Sequence, residues 1–124
     1  MILSRNYEDI NSTYDFSEGI ITNICWDTNL TDLLLTVYYF FDLPLCLKDK
    51  DVRIRFINCS ALIFNCMNML ASMKEYNIVT PNPEIDHIML QKVESGINVI
   101  ISTNYDPEMV SLSCDEIWLE LIDE

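Results

Sequence analysis

Glycine is scarce in this chain. Only Gly19 and Gly96 occur among 124 residues, and they lie too far apart to form a loop that cradles phosphate. Histidine occurs once, as His87, beside Glu84 and Asp86. Without a second imidazole these groups give no transition-metal site, and no metal or other cofactor is expected. The five cysteines (Cys25, Cys46, Cys59, Cys66 and Cys114) include no CxxC pair, which removes zinc ribbons and thioredoxin-like redox pairs. Cys25, Cys59 and Cys114 fall in strand-like stretches and read as reduced thiols packed in a core. Basic residues number seven against twenty acidic ones, a net charge of −13. A chain so poor in Lys and Arg is not built to grip nucleic acid or an anionic membrane. Long apolar runs are missing too. The longest, Leu33 to Phe41, is nine residues interrupted by Thr36, against the roughly twenty that a membrane-spanning helix needs. No basic leader followed by an apolar stretch opens the sequence, so a cytoplasmic location is expected. In that compartment the Asn-x-Ser/Thr triplets at Asn11, Asn29 and Asn58 carry no weight.

What is present is an apolar half and a mean hydropathy of +0.15, enough to build a core within one domain spanning residues 1–124. Residues 1–19 are polar and show no clear period. From Ile20 to Asp27, the residues Ile20, Thr22, Ile24 and Trp26 share one face of a strand. After a turn at Thr28–Leu30, Asp32 to Asp42 is rich in β-branched and aromatic residues on both faces, the pattern of a central strand covered on both sides. Residues 42–51 read as a loop. Val52 to Asn58 alternates, with Val52, Ile54 and Phe56 on one side and Arg53 and Arg55 on the other, and leads into a further strand at Ala61–Asn65. Met67 to Asn77 is the only plausible helix, with Leu70, Met73 and Asn77 on one side. Ile88–Val93 and Ile97–Ser102 flank Glu94-Ser95-Gly96, a hairpin signal. In the last segment the apolar set changes phase, from Val110, Leu112 and Cys114 to Ile117, Leu119 and Leu121. One extra residue at Asp115–Glu116 predicts a bulge in a single long strand. The expected fold is all-β: an antiparallel sandwich or curled sheet of about seven strands with at most one short helix.

Catalytic constellations are poor. His87 has no partner fixed by spacing, and twenty carboxylates produce pairs by abundance alone. The stretch Lys48–Arg55, four bases against two acids, needs no role beyond a solvated loop and strand face. No catalytic residue is assigned. The charge map says more. From Asn104 to Glu124 there are seven acids (Asp106, Glu108, Asp115, Glu116, Glu120, Asp123 and Glu124) and no base. If Ile117, Leu119 and Leu121 face inward, Glu116, Trp118 and Glu120 face outward together. An aromatic anchor ringed by charge suits a protein interface. Against this, Trp118 can equally pack under a loop or against a second sheet.

The run Ile24-Cys25-Trp26-Asp27-Thr28-Asn29-Leu30-Thr31-Asp32-Leu33-Leu34, followed by Tyr38-Tyr39 and Arg55-Phe56-Ile57-Asn58-Cys59, resembles small immunity proteins of bacterial polymorphic toxin and contact-dependent growth inhibition systems. The resemblance implies a cytosolic, non-enzymatic protein that binds and neutralises one cognate toxin domain, often a nuclease. A nuclease carries a basic cleft, and a complementary acidic surface speeds encounter. The expected partner surface is therefore Asp106, Glu108, Asp115, Glu116, Trp118 and Glu120, with Asp27 and Asp32 as a second patch. Two other classes fit the composition: an inhibitor that imitates DNA phosphates, and a β-sandwich that binds a small ligand or carbohydrate.

Overall fold

The structure, a computed structural model, describes residues 1–39 and 50–122. The short strand β1 (Ile2–Ser4) and helix α1 (Tyr7–Thr13) precede β2 (Ile20–Trp26), β3 (Leu33–Tyr39), β4 (Lys50–Ile57) and β5 (Ser60–Phe64). Helix α2 (Met67–Tyr76) follows, and then β6 (Ile85–Val93), β7 (Gly96–Thr103), β8 (Val110–Cys114) and β9 (Glu116–Leu121). The strands form two antiparallel sheets, a five-stranded one in the order β1-β9-β4-β3-β2 and a four-stranded one in the order β5-β8-β7-β6. The expected all-β sandwich is found, with nine strands and two short helices among the described residues. No helix among them is long and apolar enough to cross a membrane.

Alternation along the strands places the core. Leu33, Leu35, Val37 and Tyr39 of β3, Val52, Ile54 and Phe56 of β4, and Ile117 and Leu119 of β9 are buried on one face of the larger sheet. Val99, Ile101, Val110, Leu112 and Cys114 are buried on the smaller one. The outer face of β3 (Leu34, Thr36, Tyr38) is half-buried, so this interior strand is fully covered on one side rather than both. The alternation of β4 holds as expected from sequence, whereas β2 does not keep a single period: its pairing with β3 shifts between Ile21 and Asn23, and Ile21 is its buried residue. The expected loop at 42–51 lies outside the described residues, except that Lys50 and Asp51 already belong to β4.

The phase change near Asp115 has a different cause from a bulge. β8 belongs to the smaller sheet and β9 to the larger, so the chain turns a corner at Asp115 and enters the other sheet. Both apolar sets still face the shared core, one from each side of it. A second corner joins β4 to β5, where Asn58 and Ala61 take positive φ (51° and 52°). The two corners are tied to one another, the Asp115 N–H donating to the Ile57 carbonyl at 2.8 Å.

Helix α1 was not legible as a period because it has seven residues and buries only Ile10. Its start is nonetheless marked: the Asn6 side chain accepts the N–H groups of Glu8 and Asp9, two acids in the first turn. In α2 the buried residue is Met69, with Met73 half-buried four residues on, while Leu70 points outward. Asn77 in the left-handed region (φ 56°) ends that helix.

Candidate functional site

The expected interface on β9 takes shape only in part. Ile117 and Leu119 face inward, and Glu116, Trp118 and Glu120 share the outer face. Glu116 is exposed, but Trp118 is only half-exposed, with the Arg5 guanidinium 4.3 Å from its ring centroid. The indole N–H is buried with no hydrogen-bond partner among the described residues. Trp118 is thus covered by an arginine and flanked by Arg55 of the neighbouring strand, and does not stand as a free knob. Glu120 accepts from Arg53 at 2.7 Å and from Arg55 Nε at 2.9 Å, and Arg55 also donates to Asp32 at 3.1 Å. Burial pushes the Glu120 carboxyl up, but the hydrogen bonds and charge of the two arginines outweigh it and hold the group below the usual glutamate range.

The remaining expected contacts divide similarly. Asp32 also accepts the Asn58 N–H, and the Asn58 amide donates to exposed Asp115 at 2.9 Å. Asp27 accepts the N–H groups of Thr31 and Asp32 and so closes the β2–β3 turn. These backbone bonds, the one from Asp32 foremost, lower its pKa. Asp27, Asp32, Asp115 and Glu120 therefore gather round one corner of the sandwich, where they bind the protein's own groups. Asp106 is a correction: it is 1% exposed and accepts the N–H groups of Asn68 and Met69, capping α2. It cannot touch a partner. Glu108 and Glu116 are exposed. Asp123 and Glu124 lie outside the described residues.

The thiols also differ from expectation in part. Cys114 is buried, Cys59 and Cys66 are half-buried, and Cys25 is exposed on β2; all four are free, and Cys46 lies outside the described residues. Burial, with smaller contributions from Cys59 and Asp115, pushes the Cys114 thiol up to about 12. Burial and Asp32 raise Cys59 as well, so neither is a thiolate nucleophile at neutral pH. Among the described residues no three His, Cys, Asp or Glu groups come close enough to hold a metal.

A second acidic region is better formed. The coil after α1 crosses the inner face of the larger sheet, where Tyr14 and Phe16 pack on Tyr39 and the Tyr39 hydroxyl accepts the Asp15 N–H at 3.1 Å. Residues 18–21 then lace onto residues 83–85: the N–H of Glu18 donates to Ile85, that of Ile85 to Gly19, and that of Ile21 to Pro83. A Cβ on Gly19 would stand 2.8 Å from Val37, so a side chain there would push the coil off the sheet. This lacing leaves a cavity of about 330 Å³ between residues 10–17 and the start of β6. Ile54, Phe56 and Ile117 lie at its base, Ile88 and Leu90 on one wall, and Asp15, Asp86 and His87 also line it. A second hollow adjoins it, lined by Ser17, Glu18, Glu84, Asp86 and Asn104 among others, and Ser17 and Asp86 belong to both.

Asp15, Glu18, Glu84 and Asp86 are all exposed, and no described Lys or Arg lines either hollow. Several of these residues are held by local contacts. Asp15 Oδ1 is fixed by the Ser17 N–H and hydroxyl at 2.9 and 2.6 Å, and the Glu84 N–H donates to Asn104 Oδ1 at 2.9 Å. Asp86 has His87 Nδ1 at 3.3 Å. Sequence reasoning missed this region. The available signal was the absence of any Lys or Arg from Asn6 to Leu47, which makes every acid of that stretch unopposed locally.

No family model and no curated protein matches the chain. Among solved structures it is similar to an uncharacterized protein from Neisseria gonorrhoeae, with a TM-score of 0.60 and 17% identity over 87% of this chain and 95% of that one. That likeness concerns the fold.

Proposed function

We propose that this protein is a cytoplasmic, non-enzymatic inhibitor of the immunity type, which binds and neutralises a basic toxin domain, such as a nuclease, through an acidic surface. The observation that carries the reading is the set of four exposed carboxylates, Asp15, Glu18, Glu84 and Asp86, around adjoining hollows that no described Lys or Arg lines. Exposed carboxylates around hollows that no described Lys or Arg lines present a local negative field, and such a field accelerates encounter with a positive cleft. The capture surface is therefore moved from β9, where Arg53 and Arg55 neutralise Glu120 and Asp32, to the opening between the α1 coil and β6. Glu116 and Glu108 remain exposed acids that add to the long-range field.

The reading is tested by co-expression with the product of the neighbouring reading frame. Protection of the cells, with a basic domain co-purifying in a salt-sensitive complex, is the expected result. Failure to protect, with no basic domain retained even at low ionic strength, would overturn it.

A further inference from the structure

The cavity beside the acidic opening is built for one kind of group. Its base and one wall are apolar, made by Ile54, Phe56, Ile117, Ile88 and Leu90. Its rim carries Asp15 and Asp86, both exposed, with His87 Nδ1 3.3 Å from Asp86, and no described Lys or Arg lines it. At about 330 Å³ it lies at the small end of ligand pockets, large enough for one side chain or a ring-sized molecule. An anion entering it would meet two carboxylates and no described Lys or Arg. A wholly apolar group would fill the base but leave the charged rim without a partner. A group with an apolar body and a terminal cation satisfies both ends at once, stem against the isoleucines and head between Asp15 and Asp86.

We propose that this cavity is an anchor site for an amphipathic cation, namely an arginine or lysine side chain of the basic protein partner. The inference rests on the acidic opening being the capture surface and adds what seats the partner once it has arrived. Arginine is the better fit of the two. Its planar head can donate hydrogen bonds to two carboxylates in fixed directions, and it is less strongly hydrated than an ammonium. Asp15 is already held in place, since Ser17 fixes its Oδ1 through both N–H and hydroxyl, so little ordering remains to be done on binding. Long-range charge would govern the rate of encounter, and this anchor the lifetime of the complex.

The experiment uses the full chain, ¹⁵N-labelled, titrated with three molecules of one shape and different charge: benzamidine, benzamide and benzoate. Benzamidine should shift the amide resonances of Ser17, Asp86, Ile88 and Leu90 saturably. Benzamide should bind at least tenfold more weakly, and benzoate should leave those resonances in place. Asp15→Asn and Asp86→Asn should each weaken benzamidine about tenfold; both positions are exposed, so the fold survives. Equal binding of all three molecules, or benzamidine binding indifferent to both substitutions, would overturn the anchor. So would an absence of any shift at millimolar benzamidine. These outcomes are separate from the capture reading, which stands or falls on the co-purifying basic domain.

Discussion

Asp106 Oδ2 accepts the backbone N–H of Met69 at 3.2 Å, joining the β7–β8 turn to the first turn of α2. The helix needs this outside help. Its own N-cap, Cys66, makes no side-chain hydrogen bond, and Asp106 Oδ1 takes the Asn68 N–H as well. Asp106→Ala should therefore destabilise the protein by about 1–2 kcal/mol, the usual range for a lost cap. Urea denaturation followed by circular dichroism measures it, and an unchanged midpoint would show the cap to be dispensable.

Glu120 ties Arg53 and Arg55 together on the outer face of the larger sheet. Its folded pKa is depressed, so its contribution to stability is complete above the ordinary glutamate range and is lost as pH falls through the lower folded value. Glu120→Gln should cost about 1 kcal/mol at neutral pH, reduced by the partial exposure of the arginines. The gap between wild type and variant should close as the pH drops below about 4. Unfolding midpoints collected across that range give the answer, and a gap that persists at low pH would mean the loss is one of packing.

Trp118 lies beneath the Arg5 guanidinium with its indole N–H buried. Trp118→Ala should destabilise the fold by about 2 kcal/mol, less than the 3–5 typical of a fully buried aromatic. Arg5→Ala should cost under 1 kcal/mol and raise the exposure of the indole, seen as a red shift in fluorescence. A neutral Trp118→Ala would place the ring outside the structural role described.

Gly96 closes the β6–β7 hairpin at φ 149°, and a Cβ there would come within 2.5 Å of the Cys114 carbonyl oxygen. Gly96→Ala combines backbone strain with a clash against rigid backbone and should cost about 1–3 kcal/mol. Equilibrium denaturation is the check. A cost below 0.5 kcal/mol would mean that the turn relaxes freely.

Strands whose two faces differ sharply were the most legible. In β4 the alternation of Val52, Ile54 and Phe56 with Arg53 and Arg55 reads directly, as does the Glu94-Ser95-Gly96 turn. The phase change at Asp115 was visible, but a bulge and a corner leave the same one-residue mark in sequence; only the pairing partners separate them. The acidic face on β9 was legible as outward-pointing residues, yet its neutralisation was not. Glu120 meets Arg53 and Arg55 across 67 and 65 positions, contacts made by sheet pairing alone. Asp106 misled for a related reason, since a carboxylate capping a distant helix resembles a surface acid until the helix is placed. The opening formed by Asp15, Glu18, Glu84 and Asp86 draws on two segments some seventy residues apart, which no local pattern connects.

The capture surface makes a prediction that separates its two candidate positions. Reversal of Glu18 and Glu84 to lysine changes the local charge by four at positions that make no ion pair among the described residues, so the fold should hold. Association with the basic partner should slow by tenfold or more at low ionic strength. The dependence of the rate on salt should also flatten, because screening then has less attraction to remove. Reversal of Glu108 and Glu116, also exposed, changes the net charge equally but at other positions, and should slow association by no more than about threefold. Stopped-flow association over a range of salt concentrations reads both variants. If the two pairs slow association alike, net charge alone attracts the partner and the opening between the α1 coil and β6 has no special part in it. If only the Glu108 and Glu116 pair matters, the surface belongs back on the face where Glu116 stands beside Trp118.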